Sequence, residues 1–265
     1  MVNYIALYNR TSKGGQGVLK SLGLTPIGLD DVGHLCSPAS DRVINWGISR
    51  PNRSTGTVPV ANLPNKVKFA VNKKVFFDKF KSVARIPPFT TDVEEALKWV
   101  EAGDTVMARC LTNSKGGKGI VFHDDEKDFE EFLSAPLYTK YIKKKYEFRL
   151  HFSKFGGIHH FDQQQKKVRK LDLKGNPVDI KNVDYRVQSY RNGFVFCRNE
   201  VEIPPDVILQ GTKIFEASEL DFVAMDIIYN HHKGEAYVLE MNTAPGIEGT
   251  TLLNYTKELK KFLEA

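Results

Sequence analysis

The residues best suited to chemistry are three oxygen donors on two adjoining apolar runs: Asp226 in FVAMDIIY (222–229), and Glu240 and Asn242 in AYVLEMN (236–242). The polar segment NHHKGE at 230–235 separates the runs and reads as a hairpin loop between strands. Alternation along a strand puts Glu240 and Asn242 on one face, and Asp226 can face them from the neighbouring strand. Carboxylates inside apolar strands are costly to bury without a cation or other partner. Carboxylate and amide oxygens suit a hard cation such as magnesium, which keeps waters and bridges to substrate phosphates. The expectation is a nucleotide-bound pair of magnesium ions, with manganese as a substitute. The plainer reading is a strand end whose acids are merely solvated.

A second stretch suited to phosphate lies at 112–119, TNSKGGKG, between a strand over 105–111 and another running through His123. Lys115, Gly116, Gly117, Lys118 and Gly119 would form a flexible lid. Glycine lets backbone N–H groups approach an anion closely and tolerates positive φ. This is not a Walker loop, because the lysine after the glycines is not followed by Ser or Thr at a helix start. The earlier glycines, SKGGQG at 12–17, match neither GxGxxG nor a P-loop and read as a structural turn before a helix.

Asp226, Glu240 and Asn242, followed by APGIEG at 244–249, resemble the magnesium signature of the ATP-grasp carboxylate–amine ligases. The likeness is greatest to the RimK-like branch, which extends the C-terminus of a ribosomal protein with glutamate, and it spans roughly residues 65–265. The resemblance implies an α+β ATP-grasp fold. A small N-terminal α/β unit (1–62) would precede an ATP-grasp domain (63–265), whose two subdomains, about 63–140 and 141–265, clamp ATP. It assigns two magnesium ions to Asp226, Glu240 and Asn242. Glu240 would bridge both ions, and the nucleotide phosphates would go to Lys73, with Lys74 as second choice, to Arg109 and to the glycine-rich lid.

The adenine edge would meet Lys140, Tyr141 and Ile142, and Glu147 completes the nucleotide set. Arg149, Arg186 and Arg191 are the implied catalytic cations, stabilising charge during transfer. Relatives usually carry lysine where this chain has Arg109, and arginine binds phosphate with a different geometry. The implied reaction joins a carboxylate to an amine, on a small molecule or a peptide, through an acyl phosphate. Two other uses of the same residues stay open: a kinase that phosphorylates a hydroxyl, and an inactive protein that binds nucleotide and polyanion. For Lys73 and Lys74 the plain alternative is a solvated charge run, and for Glu147 and Arg149 a strand ion pair.

Elements to position these residues can be read along the chain. Residues 4–8 and 42–47 read as strands of the first unit, and the Pro-, Ser- and Gly-rich tract at 48–64 as a surface loop or linker, with the domain boundary near Asn62. Phe76 and Phe80 have helical spacing within 72–81. The run TDVE at 91–94 has the form of a capping box that opens a helix ending at Gly103. The acidic run at 124–131 starts another helix. Strands are expected from Glu147 and over 184–196, and helices over 207–220 and 252–263. In the last of these, Leu252, Tyr255, Leu259 and Phe262 share a face.

With 265 residues, 41% of them hydrophobic and 26% charged, the chain can build one or two cores. It has no stretch apolar enough for a membrane span. Its first residues, MVNYIAL, read as a strand rather than a signal peptide, which favours the cytoplasm. Cys36, Cys110 and Cys197 are widely spaced and odd in number, against a disulfide framework or a zinc site. The net charge of +6 favours an anionic ligand. The basic run QQQKKVRK at 163–170 would also suit nucleic acid, but no nucleic-acid motif accompanies it.

Overall fold

The structure is a computed structural model. It describes residues 2–50, 54–112, 119–125, 127, 135–171, 175–179, 181, 183 and 185–265. Three sheets follow one another along the chain. The first is parallel, in the order β2-β1-β3-β4, from β1 (Asn3–Leu7), β2 (Thr25–Pro26), β3 (Arg42–Trp46) and β4 (Val60–Ala61). Helices α1 (Lys13–Leu22) and α2 (Val32–Leu35) connect its strands.

Helices α3 (Pro64–Val71) and α4 (Lys73–Phe80) lead to an antiparallel sheet, the roof of the cleft described below. It runs β5-β8-β6-β7, from β5 (Phe89–Thr90), β6 (Val106–Arg109), β7 (Ile120–His123) and β8 (Tyr138–Lys140), with α5 (Val93–Glu101) packed behind. The floor is a five-stranded antiparallel sheet, β11-β10-β9-β12-β13. It comprises β9 (Tyr146–Ser153), β10 (His159–Val168), β11 (Phe194–Cys197), β12 (Phe222–Asn230) and β13 (Glu235–Asn242). Helix α6 (Pro205–Ser218) precedes β12, and α7 (Gly249–Glu264) closes the chain.

The floor has one apolar face. Val223, Met225, Ile227, Val238 and Met241 join Phe76, Phe77 and Phe80 of α4 and Ile214 and Phe215 of α6 in one core cluster. Burying each of those large side chains is worth about 1.5–3 kcal/mol, which fixes the face the remaining floor residues must take. A second cluster joins the first sheet to the floor: Trp46 stacks on Phe222 at 5.6 Å and meets Tyr255 of α7 edge-on at 5.7 Å.

Asn62 links the same two bodies. Fully buried at φ 61°, a left-handed conformation that Asn tolerates better than most residues, it donates from Nδ2 to the Phe222 carbonyl at 2.9 Å. Its Oδ1 accepts from the Asp221 and Phe222 amides at 2.8 and 3.2 Å.

Several sequence expectations need correction. The glycines at 12–17 are not a turn before a helix but the first turns of α1, capped by Ser12, whose hydroxyl accepts from the Gly15 amide at 3.4 Å. Packing demands glycine at 14, since a Cβ there would come 2.5 Å from the backbone carbonyl oxygen of Pro245. The tract at 48–64 is not all surface loop, because its apolar residues Val58, Val60 and Ala61 are buried and β4 extends the first sheet.

The cap of α5 is Asp92 rather than Thr91, with its carboxylate accepting from the Glu94 amide at 2.9 Å. Among the described residues of the expected 184–196 strand, strand begins only at Phe194, and it runs to Cys197. Before it, the Asn192 side chain donates to the Val187 carbonyl at 2.8 Å and Gly193 adopts φ 89°, which curls the chain into turns. The helix expected from 124 falls largely outside the described residues.

Candidate active site

A cleft of about 580 Å³ separates floor from roof. A row of paired residues crosses its floor: Gln164 on β10 opposes Arg149 on β9, Arg149 opposes Asp226 on β12, and Asp226 opposes Glu240 on β13. Simple alternation from Ala236 and Val238, both in the core, would have turned Glu240 and Asn242 into the core as well. A β-bulge prevents this. The pairing shifts between Asp226 and Ile227, leaving Leu239 as the extra residue, so that Met241 faces the core while Glu240 and Asn242 face the cleft beside Asp226.

Both floor acids already hold cations. Arg149 grips Asp226 with two parallel bonds, 2.6 and 2.7 Å, and its guanidinium lies 4.2 Å from the centre of the Phe196 ring. Burial alone would lower the Arg149 pKa, but Asp226 drives it above the ordinary arginine value. Lys73 is ion-paired with Glu240. Burial alone would raise the Glu240 carboxyl, yet the Lys73 ammonium holds it below the usual carboxylate range.

Lys73 reaches Glu240 from the first position of α4, capped by Asn72, whose Oδ1 accepts from the Val75 amide at 3.2 Å. Asn72 also donates to the Thr112 hydroxyl at 3.0 Å, and the Lys73 amide to the Thr112 carbonyl at 3.1 Å. The helix start is thereby tied to the start of the glycine-rich segment. Lys74 points elsewhere: its side chain is 47% exposed and pairs with Asp78 at 3.0 Å.

In the roof, Arg109 is 6% exposed and donates from Nε to the Thr139 hydroxyl at 3.3 Å. Burial lowers its pKa to about 10, against the opposing field of Glu240, so it stays charged at neutral pH. Lys140, Tyr141 and Ile142 line the end of the cleft where the roof strand β8 leaves for β9. The Lys140 ammonium does not reach inward; it pairs with Asp104 at 2.5 Å and lies 5.1 Å from the Trp99 ring centre.

Beneath them Glu147, 5% exposed, is paired with Lys166 and lies 3.6 Å from Lys144. Burial alone would lower the Lys166 ammonium, but Glu147 raises it above its ordinary value. For Lys144 burial wins over the same acid and the pKa falls.

No protein-family model and no curated protein matches the sequence. Solved structures match its three-dimensional form along its whole length. The D-alanine–D-alanine ligase of Bacillus anthracis, solved in complex with ATP, is 15% identical with a TM-score of 0.65, covering 100% of this chain and 96% of that one. A RimK-domain ATP-grasp protein of Sphaerobacter thermophilus is 11% identical, with a TM-score of 0.64 and both chains covered in full, 100% each. The macrocyclase MdnC of Microcystis aeruginosa, bound with its precursor peptide MdnA, is 14% identical with a TM-score of 0.62, covering 100% of this chain and 99% of that one. The chain has the ATP-grasp fold.

Within this ATP-grasp fold the cleft brings together Lys73, Arg109, Lys140, Tyr141, Ile142, Glu147, Arg149, Arg186, Asp226, Glu240 and Asn242. Arg186 lies at the rim, 3.2 Å from Asp124 and over the Phe122 ring. Arg191 is exposed and does not line the cleft, because the 185–193 turns carry it outward. Lys115, Gly116, Gly117 and Lys118 lie outside the described residues. Gly119 follows them at φ 75°.

Sequence reading missed Lys144, Lys166, Gln164, Arg198 and Thr251, all of which line the cleft. Alternation from Gln164 to Lys166 on the strand beside Arg149 could have found two of them. The basic run around them looked like a solvated face instead.

The donor set fits magnesium by its chemistry. It offers two carboxylates and one amide on a shared face, with room in the cleft for waters and phosphates. Among the described residues no group of three His, Cys, Asp or Glu side chains is gathered so as to hold a metal ion by itself. Nor is any described helix long and apolar enough to cross a membrane.

Proposed function

We propose that this protein is an ATP-dependent ligase, acting in the cytoplasm, that joins a carboxylate to an amine. One observation carries the reading: Asp226, Glu240 and Asn242 share a cleft floor with Lys73 and Arg149, beneath the buried Arg109. The ATP on the Bacillus ligase and the precursor peptide on the macrocyclase support ATP as co-substrate and a small molecule or peptide as acceptor. In this reading residues 1–62 form the small first unit, and ATP lies between 63–140 and 141–265.

The adenine would sit against the backbone at Tyr141 and Ile142, with the ribose near Glu147. Arg109, Lys73 and Arg149 would hold the phosphates, keeping the γ-phosphorus in line with an incoming carboxylate oxygen. That oxygen attacks phosphorus, the bond to the β-phosphate oxygen breaks, and ADP leaves. An amine then attacks the acyl carbon, phosphate departs, and the amine proton passes to solvent or to the departing phosphate. Two magnesium ions, when bound on Asp226, Glu240 and Asn242, would neutralise phosphate charge during both displacements. Arg149 would lend its guanidinium to the transferring phosphoryl group, and Arg186 at the rim would approach the acyl phosphate.

The test is incubation of the protein with ATP, magnesium and pools of small carboxylic acids, amino acids and peptides, with products analysed by mass spectrometry. The expected result is a condensed amide together with ADP and inorganic phosphate. AMP and pyrophosphate would contradict the acyl-phosphate route. A phosphorylated hydroxyl would make the protein a kinase, and nucleotide binding without turnover on any pool would favour a binding protein.

A further inference from the structure

Arg109 differs from the other cations of the cleft. Lys73, Arg149 and Lys166 each hold a carboxylate of the floor, and Lys140 holds Asp104. Arg109 is more than nine-tenths buried, yet among the described residues it has no ion pair, and its one side-chain hydrogen bond runs from Nε to Thr139 Oγ1 at 3.3 Å. A buried guanidinium with a single neutral partner is costly unless an anion completes it. Thr139 is fully buried and sits on the roof strand that continues into Tyr141 and Ile142. The backbone holds the two residues in register: Met107 opposes Thr139, and the Arg109 amide donates to the Leu137 carbonyl at 2.8 Å.

Guanidinium is planar, so a bond at Nε fixes the direction of the whole fork. With Nε–H directed at Thr139, the edge formed by Nη1 and Nη2 is left for two oxygens of one anion. A lysine at this position has no Nε–H, and its rotating ammonium offers no planar fork for the threonine to orient. The two side chains therefore make sense as a pair.

We propose that Thr139 is a positioning residue for nucleotide binding: its hydroxyl orients Arg109 so that the guanidinium fork meets a phosphate of the bound nucleotide. The inference rests on the reading of the cleft as a nucleotide site. Thr139 acts through Arg109 and touches no substrate.

The test is a double-mutant cycle on ATP affinity, measured by calorimetry with magnesium present, on wild type, Thr139→Val, Arg109→Lys and the double variant. Thr139→Val should weaken ATP binding roughly three- to tenfold, the net scale of one ordinary hydrogen bond, while Thr139→Ser restores it to within about twofold. In the Arg109→Lys background the same valine change should alter affinity by less than about twofold, because the coupled group is gone. Equal losses in both backgrounds would overturn the inference, as would an unchanged affinity in Thr139→Val. Wild type that binds no ATP would instead remove the nucleotide reading, and this inference with it. Should the valine variant not fold, Thr139→Ala repeats the cycle. The Arg109 Nε–H proton, followed by NMR, should exchange slowly in wild type and faster in Thr139→Ala; equal exchange would also overturn the proposal.

Discussion

On the floor of the cleft each of Asp226 and Glu240 has a cation against it, Arg149 and Lys73, whereas in the roof Arg109 is buried with a hydroxyl as its one described side-chain partner. Among the described residues, then, the floor acids each have a cation in contact, and the roof guanidinium has no carboxylate in contact. An anion entering the cleft therefore meets a ready site above and an occupied one below. For phosphate to take Lys73 and Arg149, the two carboxylates must give up their partners, and a divalent cation is the group that can replace them. Nucleotide and cation should accordingly strengthen one another's binding, and by linkage the strengthening must be equal in both directions.

The largest effect expected in the floor follows from Glu240→Gln. It removes the charge that opposes both Lys73 and the proposed cations, and turnover should fall by at least about a hundredfold while circular dichroism stays that of wild type. Asn242→Ala should lose less, because water can take the place of one amide oxygen. A folded Glu240→Gln protein with near-normal turnover would mean that the floor acids do not serve the chemistry.

Arg149→Met breaks a buried pair from one side, stranding Asp226, which is only 4% exposed. The expected cost is about 3–5 kcal/mol in urea unfolding, and much of it should return in Arg149→Met/Asp226→Leu. Loss of less than about 1 kcal/mol would show that the floor is not held by this pair.

The floor also contains a histidine that resists protonation. His151, 1% exposed on the same strand as Arg149, lies with Nδ1 3.0 Å from the Tyr255 hydroxyl. Burial, helped by the nearby Arg149 charge, lowers its pKa to about 4. Between about pH 6.5 and 4 the unfolded chain takes up a proton that the native state refuses, so stability falls as pH drops through that window. The loss should approach roughly 3 kcal/mol by pH 4, and His151→Gln should remove that share of the slope in denaturation measured at several pH values. An unchanged slope would contradict the assignment. The smallest effect belongs to Lys74→Ala, which should leave ATP affinity within about twofold of wild type, since the Lys74 side chain is half exposed and pairs with Asp78.

Much of this architecture is legible in the sequence where a local rule and the tertiary fold agree. The strands at 222–230 and 235–242, the helix capped by Asn72 and the amphipathic C-terminal helix fall where apolar periodicity puts them. The acids were visible because charge inside apolar strands is conspicuous. Alternation between Glu240 and Asn242 gives their shared face, but that this face is the cleft was not legible, because the bulge at Leu239 reverses the alternation set by Ala236 and Val238.

The glycines of α1 misled because glycine in a helix is locally unfavourable, and at Gly14 it is demanded by the close approach of the Pro245 backbone. Lys166 and Gln164 were hidden in a run of like residues, where only pairing with Arg149 on β9 separates the cleft face from the outer one. Arg191 shows the converse: a charged residue near the site by sequence is carried away from it by a turn.

The most direct test of the account is ATP binding by calorimetry, with magnesium and with magnesium chelated. ATP with magnesium should bind with at least about tenfold higher affinity than ATP alone, and magnesium alone should bind weakly while Lys73 and Arg149 occupy the acids. The melting temperature should rise only when both are present. Binding of ATP that is equally tight without the cation would contradict the exchange of partners on the floor, and no binding at millimolar ATP would contradict the nucleotide site itself.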